Sequence, residues 1–435
     1  MAKITYAAAD EQAETVSAFL MMFLEYVREI GAFGLIDSQV MVKMKEVVYS
    51  RINKAQSIIA SLVMGCAHMK ATNEVLGEER IAAHYLGMRH FPDQSQLNRY
   101  LTRFSADNVA QLGEVHAQLF ERHSQARRAV GQIVVDIDQC GLVVGGKCYE
   151  LARSGYFPRQ RGRIGYQLST AYIGAYEEAV QVYLDPGNSQ CKSRLNDLLH
   201  DIDRLLLIDN PGVQVIRRLD AGYDSADNRK RLASLPGYFL MKGFNTLTAQ
   251  RLAKAIPLQE WLPIAEGIHG VELSPEQGIR RLVYEFYQPD GRFEYTLLYT
   301  NLSTAEFSVL TLFDFYNQRT TIEAFFAQSR HVFNIQSMRS RTFNAIAAFL
   351  RFVFLTHNLI HWAKLARFPH SQLQTASTRQ LIFGVARVRA LVSWQAGWHL
   401  AILGTSRWAT ALLNVLTAPP QPVQLSLPFA RLYES

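Results

Sequence analysis

At 435 residues the chain exceeds the usual span of one compact domain, and 49% hydrophobic with 11% aromatic residues exclude a disordered protein. Lys and Arg number 45 against 38 Asp and Glu, a net charge of +7 with a pI near 9.1, which suits a polyanionic partner without requiring one. Cys66, Cys140, Cys148 and Cys191 show neither a C-x2-C pair nor a His spacing for zinc, which excludes a secreted disulfide framework and a zinc finger. The N-terminus carries no charged-then-apolar signal, so a reducing cytosol fits best. Two greasy runs, Ala18 to Val27 and Phe343 to Trp362, are interrupted by Glu25 and by Arg351, His357 and His361. A membrane span needs about 20 mostly apolar residues, so both read as buried or amphipathic helices and no membrane partner is expected.

From about Ala13 to His123 the apolar spacing is helical, with a start near Pro92 and Ser95 that sets Leu97, Leu101 and Phe104 on one side. This segment, residues 1–128, predicts a helical domain that either binds DNA or only packs on the core. At Gly131 the pattern changes: GQIVVDID, YQLSTAYIGA and AVQVYLDPGN read as three strands, the last ended by Pro186, Gly187 and Asn188. Cys191, Leu195, Leu198, Leu199, Ile202, Leu205 and Leu206 then recur at helical spacing, predicting a helix over 189–207. A strand VQVIRRLD ending at Asp220, a short helix over 225–234 and a strand YFLMKG complete a βββαβαβ order for residues 129–243. Residues 244–312 predict a β-rich insertion: a helix near 247–255, then strands RRLVYEFYQ and RFEYTLLYTNL joined by Pro289-Asp290-Gly291. Helices are expected again at about 312–332 and 340–367, within a segment 313–370, before a last helical region and Pro-rich tail over 371–435.

Asp136 and Asp138 lie two apart on one predicted strand and so face the same way, as rigid metal ligands require. Each also reads as an ordinary strand-end residue. Asp220 precedes a turn into a helix, where Asp residues often cap. Tyr316, Arg319, Glu323 and Arg330 fall within about 60° of one helix face at 100° per residue, and Phe315, Ile322, Phe326 and Phe333 form an adjacent apolar stripe. The alternative is a salt-bridged surface face, which leaves the aromatic unexplained. His357 and His361 at i, i+4 lack a third ligand, and no G-x-S-x-G motif supports a serine hydrolase.

Tyr316-x2-Arg319-x3-Glu323-x6-Arg330 resembles the Y-x2-R-x3-E-x6-K/R signature of the DDE transposases of bacterial insertion sequences. The similarity extends over about residues 90–370, through the Asp-x-Asp pair, the Gly187-Asn188 turn, RRLDAGYDS and YTNLS. It departs at Gln139 and Cys140, where the family often has Thr shortly after its first Asp, and at Arg330 in place of Lys, which keeps the charge but changes its geometry.

The resemblance implies an RNase H-like α/β fold, a mixed five-stranded sheet flanked by helices, with the β insertion and an N-terminal helical domain. It implies cut-and-paste transposition by Asp138 (or Asp136), Asp220 and Glu323 holding Mg²⁺, with Mn²⁺ as a substitute. Three carboxylates without a Cys/His cluster suit such hard cations. Tyr316, Arg319 and Arg330 would position terminal phosphates, and an aromatic from the insertion, Tyr295 or Trp261, would hold a flipped base if hairpins form. Double-stranded DNA, both inverted-repeat ends and target, is the expected partner of a homodimer in the bacterial cytoplasm at the nucleoid. Lys147, Arg153, Arg159, Arg161, Arg163, Arg217 and Arg218 are candidates to neutralise its phosphates. The competing expectations are a catalytically inactive, transposase-derived DNA-binding protein and a cellular RNase H-like nuclease or resolvase; the latter needs neither the Tyr-Arg-Glu-Arg helix nor the insertion.

Overall fold

A computed structural model of the chain describes all residues except 1–3, 6–12, 46–47, 147, 158–159, 161, 209, 394–397 and 418–435. Two compact units emerge: one joins residues 125–142 and 153–326, the other residues 1–124, 143–152 and 327–435.

In the first unit the alternation in GQIVVDID buries Ile133, Val135 and Ile137 on one face of strand β1 (Gly131–Val143). The opposite face carries Val134, Asp136 and Asp138. β2 (Ile164–Ile173) and β3 (Glu178–Pro186) form the antiparallel pair expected from their apolar runs. β4 (Val213–Leu219) pairs parallel to β1, and β5 (Tyr238–Lys242) parallel to β4. Parallel neighbours need crossover connections; α1 (Leu195–Ile202) lies between β3 and β4, and α2 (Ala226–Ser234) between β4 and β5.

The insertion does not fold apart from this sheet. β6 (Leu262–Ala265), β7 (Ile268–Glu276), β8 (Ile279–Tyr287) and β9 (Phe293–Thr300) follow α3 (Thr246–Lys254), and β9 pairs antiparallel with β5. One sheet therefore runs β3-β2-β1-β4-β5-β9-β8-β7-β6, with a two-residue strand, Arg153–Ser154, also on β2. Of these strands, β6, β7 and the Arg153–Ser154 pair escaped the sequence reading. A core of Ile216, Leu240, Leu282, Tyr284, Leu298, Leu302, Val309 and Leu312 joins the original strands to the added ones and seats α4 (Val309–Asn317). The Tyr284 hydroxyl donates to the Val309 carbonyl at 2.8 Å, satisfying a polar atom inside that core.

The single helix expected over 312–332 is two: α4 ends at Asn317 and α5 (Thr320–Val332) begins three residues later, leaving Gln318 and Arg319 at the break. The periodicity runs through the break, so spacing alone did not show it. The helix expected over 189–207 likewise divides, into a 3₁₀ turn, α1 and a π-turn over Asp203–Leu207.

The second unit is mainly helical. Leu97 and Leu101 are buried on a helix (Gln94–Leu101) that starts between Pro92 and Ser95 as expected, with Asp93 as its cap, and Phe104 is buried just beyond its end. The helix Phe343–Arg367 is long and apolar enough to cross a membrane by composition, but it is buried inside the protein along most of its length, Arg351, His357 and His361 included. A four-stranded sheet, ordered Ile4–Thr5, Trp398–Ile402, Ala390–Ser393, Ala13–Thr15, stands where only helix was expected. Strands this short carry no readable alternation.

Candidate active site

The parallel register of β1 and β4 runs to the pair Ile137 and Leu219. The next residue of each strand is a carboxylate, Asp138 and Asp220, so main-chain pairing alone brings the two side by side where β4 ends. Asp220 makes no side-chain cap to the turn that follows, which leaves its carboxylate available. Glu323 comes from the first turn of α5.

Arg319, at the helix break, joins all three. Its Nη1 lies 3.0 Å from Asp138 Oδ2, and its Nη2 lies 3.7 Å from Asp220 Oδ1 and 3.3 Å from Glu323 Oε1. The Tyr316 hydroxyl reaches Asp220 Oδ1 at 3.5 Å, the far limit of a hydrogen bond. Exposure rises across the cluster, from 15% for the Asp138 side chain to 43% for Asp220 and 61% for Glu323, so one end faces solvent. Burial pushes the Asp138 carboxyl up to about 6, and Asp220 adds to the rise while Arg319 opposes it. For Arg319 burial opposes the charge, but Asp138, Tyr316 and Asp220 outweigh it and hold the guanidinium firmly protonated.

Asp136 has a different fate. It is 1% exposed and takes a bidentate pair from Arg218, 2.7 Å from Nε and 2.9 Å from Nη2, while Thr321 Oγ1 donates at 2.9 Å. Arg218 also donates to the Phe315 carbonyl. The contacts at Phe315 and Thr321 bracket the helix break, so this buried pair sets where Arg319 and Glu323 stand. Gly174 permits the approach, because a Cβ there would meet Thr321 Oγ1 at 2.7 Å. The ring of Phe325 stacks on Tyr172 of β2 at 4.2 Å and holds α5 from its other side.

A family model described as the transposase DDE domain matches residues 130–359, just over half of the chain and all of these residues. The chain belongs to the DDE transposase family. No curated protein matches it significantly in sequence. Among solved structures it is similar to a piggyBac transposase synaptic complex with hairpin DNA, at 12% identity over 87% of this chain and 82% of that one, with a TM-score of 0.47. It is similar also to a Drosophila P element transposase strand transfer complex, at 15% identity over 56% of this chain and 52% of that one, with a TM-score of 0.27.

In this DDE-family chain the other sequence candidates are scattered. Arg330 lies in the last turn of α5, half-buried, within the helical unit. Tyr295 sits on β9 opposite Glu285, half-buried beside Phe293, and Trp261 is half-buried just before β6. Arg153 and Arg163 are exposed; Lys147, Arg159 and Arg161 lie outside the described residues. Arg217 and Arg218 are not surface cations: Arg217 is fully buried against Asp203 and the Pro236 carbonyl, and Arg218 against Asp136. Both face into the sheet's packing layers, which a basic dipeptide in a strand does not reveal.

A polar layer beneath Asp138 went unread in the sequence. The Gln139 amide nitrogen donates to Asp138 Oδ1 at 2.8 Å, its side-chain amide to Ser169 Oγ at 3.1 Å, and the Cys191 thiol to Gln139 Oε1 at 3.2 Å. Gly222 keeps room for that thiol, since a Cβ there would lie 2.8 Å from Cys191 Sγ. Tyr223 is fully buried, and burial, with Cys191, Asp138 and Asp220 nearby, pushes its hydroxyl well above the ordinary tyrosine range.

The donor set fits a hard cation. Three carboxylates around one guanidinium carry two net negative charges, with oxygen donors only. Among the described residues no three acidic, His or Cys groups close on a single point; Arg319 stands between the carboxylates instead.

Proposed function

We propose that this chain catalyses cut-and-paste transposition: phosphodiester hydrolysis at transposon ends and joining of the freed 3′-hydroxyl to target DNA. The observation that carries this reading is the convergence of Asp138, Asp220 and Glu323, from two strands and a helix, on one guanidinium. The sheet order β3-β2-β1-β4-β5, with Asp138 and Asp220 on its adjacent central strands, supports an RNase H-like core for these residues. Asp138 rather than Asp136 is the first ligand, because Arg218 and Thr321 already engage both oxygens of Asp136.

Asp138, Asp220 and Glu323 would hold Mg²⁺, or Mn²⁺ in its place. When bound, such ions activate water and stabilise charge on the leaving oxygen. The protein's own groups orient the DNA. Arg319 offers a planar fork that matches a phosphate, and Tyr316, beside Asp220, adds a hydroxyl donor on the same side. Asp136 and Arg218 fix the start of α5, so that Glu323 meets the strand carboxylates without a search. Double-stranded DNA is the partner, and a homodimer would pair two ends.

The test is Mg²⁺-dependent cleavage of DNA carrying the element's ends. Asp138→Ala, Asp220→Ala and Glu323→Ala are expected to lose cleavage while still binding DNA. Normal cutting by any of the three would refute the site, and a wild type that binds but never cuts would leave a DNA-binding derivative as the reading.

A further inference from the structure

We propose that Arg319 is an internal counter-ion that keeps the three carboxylates metal-poor, and that a DNA phosphate opens the site by drawing its guanidinium away. The inference rests on the reading of these carboxylates as metal ligands.

The two arginine sites of this unit show why Arg319 can exchange partners. Arg218 is committed: two parallel hydrogen bonds to one carboxylate, a third to a carbonyl, and 4% side-chain exposure. Arg319 divides two nitrogens among three carboxylates at 3.0, 3.3 and 3.7 Å. The 3.0 Å approach of Nη1 to Asp138 lacks the direction of a hydrogen bond. Its directed hydrogen bond, from Nη2 to Glu323 Oε1 at 3.3 Å, goes to the most exposed of the three carboxylates, and its hold on Asp138 and Asp220 is electrostatic. It also stands at the break between α4 and α5, so its stem is not fixed inside a continuous helix.

A divalent cation entering among Asp138, Asp220 and Glu323 meets this positive charge at close range, and like charges there oppose one another strongly. A phosphodiester offers the guanidinium a bidentate partner outside the cluster. Displacement by phosphate uncovers the carboxylates, and by linkage the metal then favours DNA by the same factor. Metal loading thus becomes contingent on bound DNA, which keeps the free protein from acting as an indiscriminate nuclease.

The experiment measures Mn²⁺ binding by calorimetry or electron paramagnetic resonance at about pH 8.5, above the carboxylate range. Wild type, Arg319→Met and Arg319→Lys are compared with and without a duplex carrying the element's ends, after melting curves show each to be folded. Without DNA, Arg319→Met should bind Mn²⁺ about tenfold tighter than wild type, an ordinary coupling between linked sites. Arg319→Lys, a compact charge unable to span three carboxylates, should fall between. The duplex should raise wild-type affinity and leave Arg319→Met unchanged. Equal or weaker Mn²⁺ binding by both variants, or an equal gain from DNA in all three proteins, overturns the proposal. Absence of Mn²⁺ binding in every protein, DNA included, defeats the metal-site reading itself and not only the role of Arg319.

Discussion

Two acidic residues on one strand, on the same face and separated only by Ile137, end in opposite electrostatic situations. Asp136 is enclosed with one arginine and one threonine, and its charge is matched one to one. Asp138 belongs to a cluster in which one arginine serves three carboxylates. A matched pair holds elements in place; an under-compensated cluster retains attraction for another cation. The difference arises from register, since Arg218 lies directly opposite Asp136 on β4, whereas Asp138 lies beyond the last paired residue of that strand.

The largest effect expected from this contrast is on stability. Asp136→Ala leaves Arg218 charged and buried, which should cost about 3–5 kcal/mol, and thermal melting should show a large fall. Adding Arg218→Met should recover part of it by removing the orphaned charge. Asp220→Ala, at an exposed and over-supplied site, should barely move the melting temperature. Equal losses at Asp136 and Asp220 would erase the distinction between scaffold and site.

A smaller effect follows from protonation. The folded-state value of Asp138, about 6, lies above its ordinary 3.8, so the native state favours the neutral carboxyl. This contribution is complete below 3.8 and is lost as pH rises through 6. In metal-free protein, the stability of wild type relative to Asp138→Asn should therefore decline between about pH 4 and 6, as followed by melting temperature. A flat difference would mean that Asp138 is ionised throughout and that Arg319 compensates it more fully than its burial implies.

The smallest concerns the far side of α5. Tyr172→Leu removes the ring stacked on Phe325 and should lower stability by about 0.5–1.5 kcal/mol beyond the lost area. Cleavage should fall less than with Glu323→Ala, because the contacts of Arg218 and Thr321 still fix the helix start. A loss of cleavage as deep as with Glu323→Ala would move the positioning of Glu323 from the buried ion pair to this aromatic contact.

Much of the candidate site was legible without coordinates. Strand alternation placed Asp136 and Asp138 on one face, an apolar run ended at Asp220, and the Tyr-Arg-Glu spacing marked Glu323 as the third candidate. What remained hidden has common causes. A basic dipeptide in a strand reads as surface charge, and only the pairing of β1 with β4 shows Arg218 buried opposite Asp136. Helical periodicity continues across Gln318 and Arg319, so the break that releases Arg319 toward the strand carboxylates has no signature in spacing. The layer of Gln139, Ser169 and Cys191 comes from β1, β2 and the turn before α1, and nothing in their separate segments links them.

The sequence by itself determined most of the strands and helices of the first unit, and which acidic residues end or line them, because alternation and helical spacing are local properties of neighbouring side chains. It did not determine that the insertion's strands would extend the same sheet, that Asp136 would be closed and Asp138 left open, or that one guanidinium would stand among three carboxylates. Those outcomes depend on which strand lies beside which, and on what register, and the free energy deciding them resides in contacts between residues far apart in the chain.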